Sequence, residues 1–130
     1  MNTLKPASHL FKALARKTRM RILNLLLAHD RLCVGDIQDA LGLSQPNVSR
    51  HMAWLKRYDL VEDKRESHWV FYRLSRGLSP LQNDVLDALK KFFASDETMK
   101  SDLRRAASLH RDRLKKLGGN ATSGKAVGKK

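Results

Sequence analysis

The sequence predicts a mainly α fold (class α+β) carrying one small two-stranded antiparallel β-hairpin. Three observations predict it. Apolar residues recur at helical spacing through most of the chain from Ser8 to Leu117. One stretch, 60–74, instead alternates in the manner of strands. The run from Val34 to Arg57, VGDIQDALGLSQPNVSRHMAWLKR, reads as two short helices joined by a tight turn at Leu41-Gly42-Leu43. A chain of 130 residues suffices for one domain with a modest core.

Residues 1–7 read as a flexible lead, 8–117 as the folded domain and 118–130 as a disordered basic tail. The first helix starts at Ser8 and sets Leu10, Leu14 and Phe11 on one side. Thr18 is the expected cap of a second helix. Met20, Ile22, Leu23, Leu25, Leu26 and Leu27 crowd almost all its sides, so it should be central. It ends at Ala28-His29-Asp30, and Arg31-Leu32-Cys33 forms an extended link.

The third helix, Val34 to Leu41, stops at Gly42, where a left-handed conformation is cheap. Ser44 is the N-cap of the fourth helix and Pro46 falls in its first turn. Val48, Met52 and Leu55 make its buried stripe, with Trp54 at the edge. Strands at 60–65 and 68–74 follow, with their tip near Glu66-Ser67. Ser79-Pro80-Leu81-Gln82 is a capping box opening a fifth helix. Leu81, Val85, Leu89 and Phe92 form one stripe there, widened by Leu86 and Phe93. Ser95 or Asp96 caps a sixth helix, where Leu103, Ala107, His110, Leu114 and Leu117 follow the spacing of a helix–helix seam.

Net charge is +13. The excess sits in residues 5–76 and 111–130, while 77–110 is balanced. A polyanion is the natural partner of such a surface. The single cysteine, Cys33, excludes an intrachain disulfide and fits a reducing compartment. No apolar run approaches the roughly 18 residues of a membrane span, so a cytoplasmic, non-membrane protein is expected. No Gly-rich phosphate loop, HExxH or nucleophile with an identifiable base is present. Neither catalysis nor a cofactor is expected.

Helices, helix-turn-helix, ribbon and further helix make up the winged-helix order. The pieces LFKALARKTRMRILNLLL, RLCVGDIQDALGLSQPNVSRHMAWLKRYDLVEDKRE and WVFYRLS resemble the ArsR/SmtB family of bacterial repressors. SQPNVSRHMAWLK is the most diagnostic segment. The resemblance implies a homodimeric winged helix-turn-helix with C-terminal dimerisation helices. It also implies operator binding that an inducer relieves.

The residues support a DNA role physically. The recognition helix is expected over 44–57 in the major groove, and the wing over 62–70 on a flanking groove. Gln45 and Asn47 lie in the first turn, where an amide can pair bidentately with adenine; Arg50 could do so with guanine. Ser44 and Ser49 suit phosphate or base contact, although Ser44 also reads as a cap alone. His51 joins this polar set. Lys56 and Arg57 read equally as backbone contacts or surface charge. The wing offers Lys64, Arg65, Ser67 and His68, while Trp69 could instead pack on the domain. Double-stranded DNA and a second copy of the chain are the expected partners, together with an inducer of unidentified chemistry. A sequence-tolerant architectural DNA binder and a winged-helix protein-interaction module are the rival readings.

The sensor site is where the sequence departs from relatives. Arsenic-sensing members carry a Cys-Val-Cys motif where this chain has Cys33-Val34-Gly35. Trigonal As(III) takes three thiolates, so that site is not expected. Zinc-sensing members place an Asp and a His in the fifth helix, with a further His and an acidic residue or His about a dozen residues on, toward its C-terminal end. Here Asp84 and Asp87 are present, but no histidine lies between His68 and His110. His29, Asp30 and Cys33 are metal-ligand types close in sequence, but no metal is expected on spacing alone.

Overall fold

The structure, a computed structural model, describes residues 4–119. Six helices and three strands follow in the order α1 (Lys5–Leu14), α2 (Lys17–Ala28), β1 (Leu32–Cys33), α3 (Val34–Leu41), α4 (Gln45–Arg57), β2 (Val61–Glu66), β3 (Trp69–Leu74), α5 (Pro80–Phe93) and α6 (Glu97–Gly119). The mainly helical winged fold is as the periodicity predicts. The sheet has three strands rather than two, in the order β1-β3-β2.

The extra strand comes from the link before α3. Leu32 pairs with Tyr72 and Cys33 with Phe71, antiparallel. Both link residues are buried, so their backbone groups need partners inside the protein. The hairpin itself pairs Val61 with Leu74 through to Glu66 with Trp69. Its two-residue tip is Ser67-His68, with Ser67 at φ +59°.

Helix ends follow local chemistry with two exceptions. Gly42 sits at φ +69°, and Leu43 N–H donates to Gln38 O at 3.0 Å, closing α3 in a Schellman-type turn. The end of α4 is built the same way around Asp59, at φ +61°: Leu60 N–H donates to Leu55 O at 2.9 Å and Asp59 N–H to Lys56 O at 3.0 Å. Ser79 and Gln82 complete the capping box of α5. Asp96, not Ser95, caps α6 by accepting from Met99 N–H at 3.0 Å. The exceptions lie at the N-terminal side. α1 begins at Lys5 rather than Ser8, because Pro6 suits the first turn. Arg16, not Thr18, occupies the N-cap of α2, with no side-chain cap bond; Thr18 falls within the first turn.

α2 is the central helix, with Ile22, Leu23 and Leu25 fully covered. Leu10, Ile37, Val48, Met52, Leu55, Leu60 and Leu86 close around it. α6 packs along α2 and α3. Its inward face is Met99, Asp102 and Ala106, whereas Leu103, Ala107, His110 and Leu114 of the expected seam are only half-buried.

Ion pairs to two buried carboxylates, Asp102 and Asp36, set that face. Arg21 makes a bidentate contact with Asp102, Nε–Oδ2 2.7 Å and Nη2–Oδ1 2.9 Å. Arg105 donates to Asp102 Oδ1 at 2.7 Å and to Ala40 O at 2.8 Å, at the C-terminal end of α3 where carbonyls lack helical partners. Arg113 of α6 reaches Asp36 of α3 at 2.8 Å and lies 4.6 Å from the Trp69 ring. Trp69 therefore packs on the body of the domain. Among the described residues no helix is long and apolar enough to cross a membrane. Residues 120–130 of the expected tail, and Met1 to Thr3 of the lead, lie outside the described residues.

Candidate nucleic-acid interface

α4 owes its start to Ser44, whose Oγ accepts from Asn47 N–H at 3.4 Å. That bond is a cap, and the hydroxyl stays exposed. Val48, Met52 and Leu55 anchor the inner side of the helix. Gln45, Ser49, Arg50 and Arg57 are all exposed on the outer side, and Asn47 is half-buried. Helix geometry thus brings the first-turn amide and Arg50 to one accessible surface.

His51 does not belong to that surface. Its relative exposure is 9%, so its place in the exposed polar set is corrected to the interior. The reason is the i, i+3, i+4 geometry that also buries Val48, Met52 and Leu55. The ring meets Arg19 of α2: Arg19 Nη1 donates to His51 Nδ1 at 3.4 Å. A guanidinium only donates, so Nδ1 is the unprotonated nitrogen and Nε2 carries the hydrogen. Burial pushes the His51 pKa down, and the charges of Arg19, Arg16 and Arg50 push it further.

Arg19 is the residue whose role the sequence does not reveal. It is 5% exposed in a helix of leucines. Its Nε donates to Ala13 O at 2.6 Å and its Nη2 to Lys12 O at 3.0 Å, satisfying the last carbonyls of α1. Its guanidinium also lies 5.1 Å from the Trp54 ring centroid. One side chain thereby joins the end of α1 to the recognition helix. Arg19 stands among Lys17, Thr18 and Arg21, so its neighbours in sequence gave no signal that it alone is buried.

The remaining basic residues divide into paired and unpaired. Lys56 binds Asp63 Oδ1 at 2.9 Å, tying the end of α4 to β2. Arg57 lies 5.8 Å from the Trp54 ring and 5.9 Å from the Tyr58 ring. In the wing, Lys64 faces Glu66 at 3.7 Å, and Glu66 also takes Arg31 at 3.0 Å. Arg65, Ser67 and His68 are exposed at the tip.

Cys33 is buried at 2% exposure on β1, opposite Phe71. Burial pushes its thiol pKa up, outweighing the Asp36 backbone N–H that favours the thiolate. His29 and His110 stack edge to face with ring centroids 5.3 Å apart. Burial pushes the His29 pKa down, against the pull of Asp36. Among the described residues no three His, Cys, Asp or Glu side chains come together as a metal site, so His29, Asp30 and Cys33 do not assemble one.

A winged helix-turn-helix presenting a cationic outer helix face defines a DNA-binding transcription regulator. Comparison with known proteins agrees. Residues 16–63 match the bacterial regulatory protein, arsR family. The arsenic resistance transcriptional regulator ArsR1 of Pseudomonas putida is 37% identical over 90 residues, 66% of this chain and 70% of that protein. The transcriptional activator HlyU of Vibrio cholerae is 46% identical over 66 residues, 51% of this chain and 60% of HlyU. Solved HlyU from Vibrio cholerae superposes with a TM-score of 0.64 at 35% identity, covering 73% of this chain and all of that one. A homodimeric winged helix-turn-helix domain from Mycobacterium bovis, solved in solution, gives 0.59 at 27% identity, covering 68% of this chain and 79% of that domain. The chain belongs to the ArsR family of bacterial transcription regulators. Its relatives regulate transcription and are not enzymes.

Proposed function

We propose that the protein is a homodimeric repressor of a pseudo-palindromic operator. The exposed surface of α4 carries this reading: Gln45, Ser49 and Arg50 are all exposed there, and Arg50 has no carboxylate within 4.0 Å among the described residues. Gln45, Asn47 and Arg50 read base edges in the major groove, and Ser44 and Ser49 contact bases or phosphates. Arg57 approaches the backbone. Arg65, Ser67 and His68 at the wing tip meet the adjacent groove or its phosphates. Lys56 and Lys64 contribute less, because each shares its charge with a carboxylate. The folded unit is 8–117 extended to the start of α1, and the basic tail adds phosphate affinity.

The second copy docks through α1 and α5. Leu4, Phe11, Leu81 and Phe92 are exposed there, and a dimer would cover them. The inducer is not As(III) in a trigonal thiolate site. One cysteine per chain supplies at most two thiols per dimer, and Cys33 is buried and protonated.

Enrichment of bound duplexes from a random-sequence library tests the reading. The expected product is an inverted repeat with half-sites about one helical turn apart. Arg50→Ala should then weaken binding to the enriched duplex by about 1–3 kcal/mol. Unchanged affinity at fixed salt would remove α4 from the interface.

A further inference from the structure

The cations of this domain are unevenly neutralised. On the α3–α6 side, Arg21 and Arg105 share Asp102, and Arg113 holds Asp36. Along the wing, Arg31, Lys64, Arg73 and Arg76 meet Glu66, Asp30 and Glu62. At the corner where α1 turns into α2 against α4, the pattern reverses. Arg16, Arg19 and Arg50 have no carboxylate within 4.0 Å among the described residues.

That corner is fixed rather than loose. Arg19 holds the last carbonyls of α1 and reaches His51 of α4. Arg16, exposed on extended backbone at φ −137° and ψ 134°, precedes the first turn of α2. Arg50 is exposed on α4 beside His51. All three guanidinium charges act on the His51 ring. Several cations around one neutral imidazole repel each other until an anion arrives. The guanidinium fork matches two oxygens of a phosphate, and an arginine cannot lose its charge to escape the repulsion.

We infer that Arg16 and Arg50, positioned by Arg19, form a seat for a backbone phosphate of DNA, contacted from the α1–α2 corner as well as from the recognition helix. The inference rests on α4 lying in the major groove. Arg19 ties the α1–α2 corner to α4, so a duplex held by α4 brings its backbone past that corner. Arg50 then divides its fork between base edge and phosphate, while Arg16 serves phosphate alone. Arg16 carries no sequence information and contributes only to positioning and affinity.

Salt-dependent affinity measurements test it. The probes are the enriched duplex and a random-sequence duplex of equal length, titrated across potassium chloride concentrations. The proteins are wild type, Arg16→Gln and, as an equal change of charge on α6, Arg104→Gln. Arg16→Gln should weaken both duplexes by the same factor. Its plot of log affinity against log salt should be shallower by about 0.9 for each phosphate that the variant leaves unneutralised. Arg104→Gln should keep the wild-type slope. An unchanged slope in Arg16→Gln, an equal change in Arg104→Gln, or a weakening confined to the enriched duplex overturns the phosphate seat. A wild type with no preference for the enriched duplex overturns base reading by α4 but not its place on the duplex, and a shallower Arg16→Gln slope would still support the seat.

Arg19→Lys keeps the charge and removes the fork that spans α1 and α4. In that background Arg16→Gln should cost less than in wild type, with melting followed in parallel to confirm folding. Fully additive effects would show that Arg19 does not set the seat.

Discussion

At the residue scale, His51 and Cys33 show how burial decides chemistry. The folded His51 takes up its proton at a lower pH than the ordinary histidine value of about 6.5. Between those two values the unfolded chain holds more protons than the folded one. Stability is therefore full above about pH 6.5 and falls as the pH is lowered through and below that value. His29 is shifted the same way and adds to the fall. Thermal melts from pH 8 to pH 5 should show a falling midpoint, and His51→Gln should flatten part of the fall. A midpoint independent of pH in that window would contradict a neutral, covered His51. Cys33 should react with iodoacetamide far more slowly in the folded protein than in urea, because its thiol is covered and its pKa is raised. Equal rates would place it at the surface.

Single elements carry their own predictions. The turn between α3 and α4 needs a left-handed residue at position 42. Gly42→Ala has space for its Cβ but not the conformation, so it should cost about 1–2 kcal/mol in urea unfolding. Asp59 occupies the equivalent place after α4 at φ +61°. Asp59→Gly should gain up to about 1 kcal/mol there, less the extra entropy glycine loses on folding. A gain from Gly42→Ala would contradict the Schellman geometry. These termini were legible in the sequence because Gly42, Ser44, Pro46, Ser79 and Gln82 act on neighbours within a few residues. β1 was not legible. Two residues carry no periodicity, and Leu32 and Cys33 become a strand only because Tyr72 and Phe71 arrive beside them. The inward face of α6 was not legible either. It uses Asp102, whose partner Arg21 lies 81 residues away, so an apolar count chose the half-buried seam instead.

For the whole molecule, the exposed apolar side chains predict assembly. Phe11 on α1 is 56% exposed and Phe92 on α5 65%. Covering the exposed part of each phenylalanine is worth about 1–2 kcal/mol. Phe11→Asp and Phe92→Asp should each shift sedimentation toward the monomer at micromolar concentration, with helical content unchanged. A wild-type monomer under the same conditions would refute the dimer and with it the two-half-site operator.

The sequence by itself determined the helix-turn-helix, the hairpin and the missing set of sensing thiols. Those rest on caps, periodicity and counting, which need only near neighbours. Only the tertiary structure decided which polar residues of the recognition segment remain available. It turned His51 inward onto Arg19 and bound Lys56 to Asp63, while Arg50 and Arg16 were left without a carboxylate among the described residues. The reason is that charge pairing and burial depend on what other elements bring alongside. A basic residue in a sequence is only a formal charge until the fold shows whether an acid has reached it first.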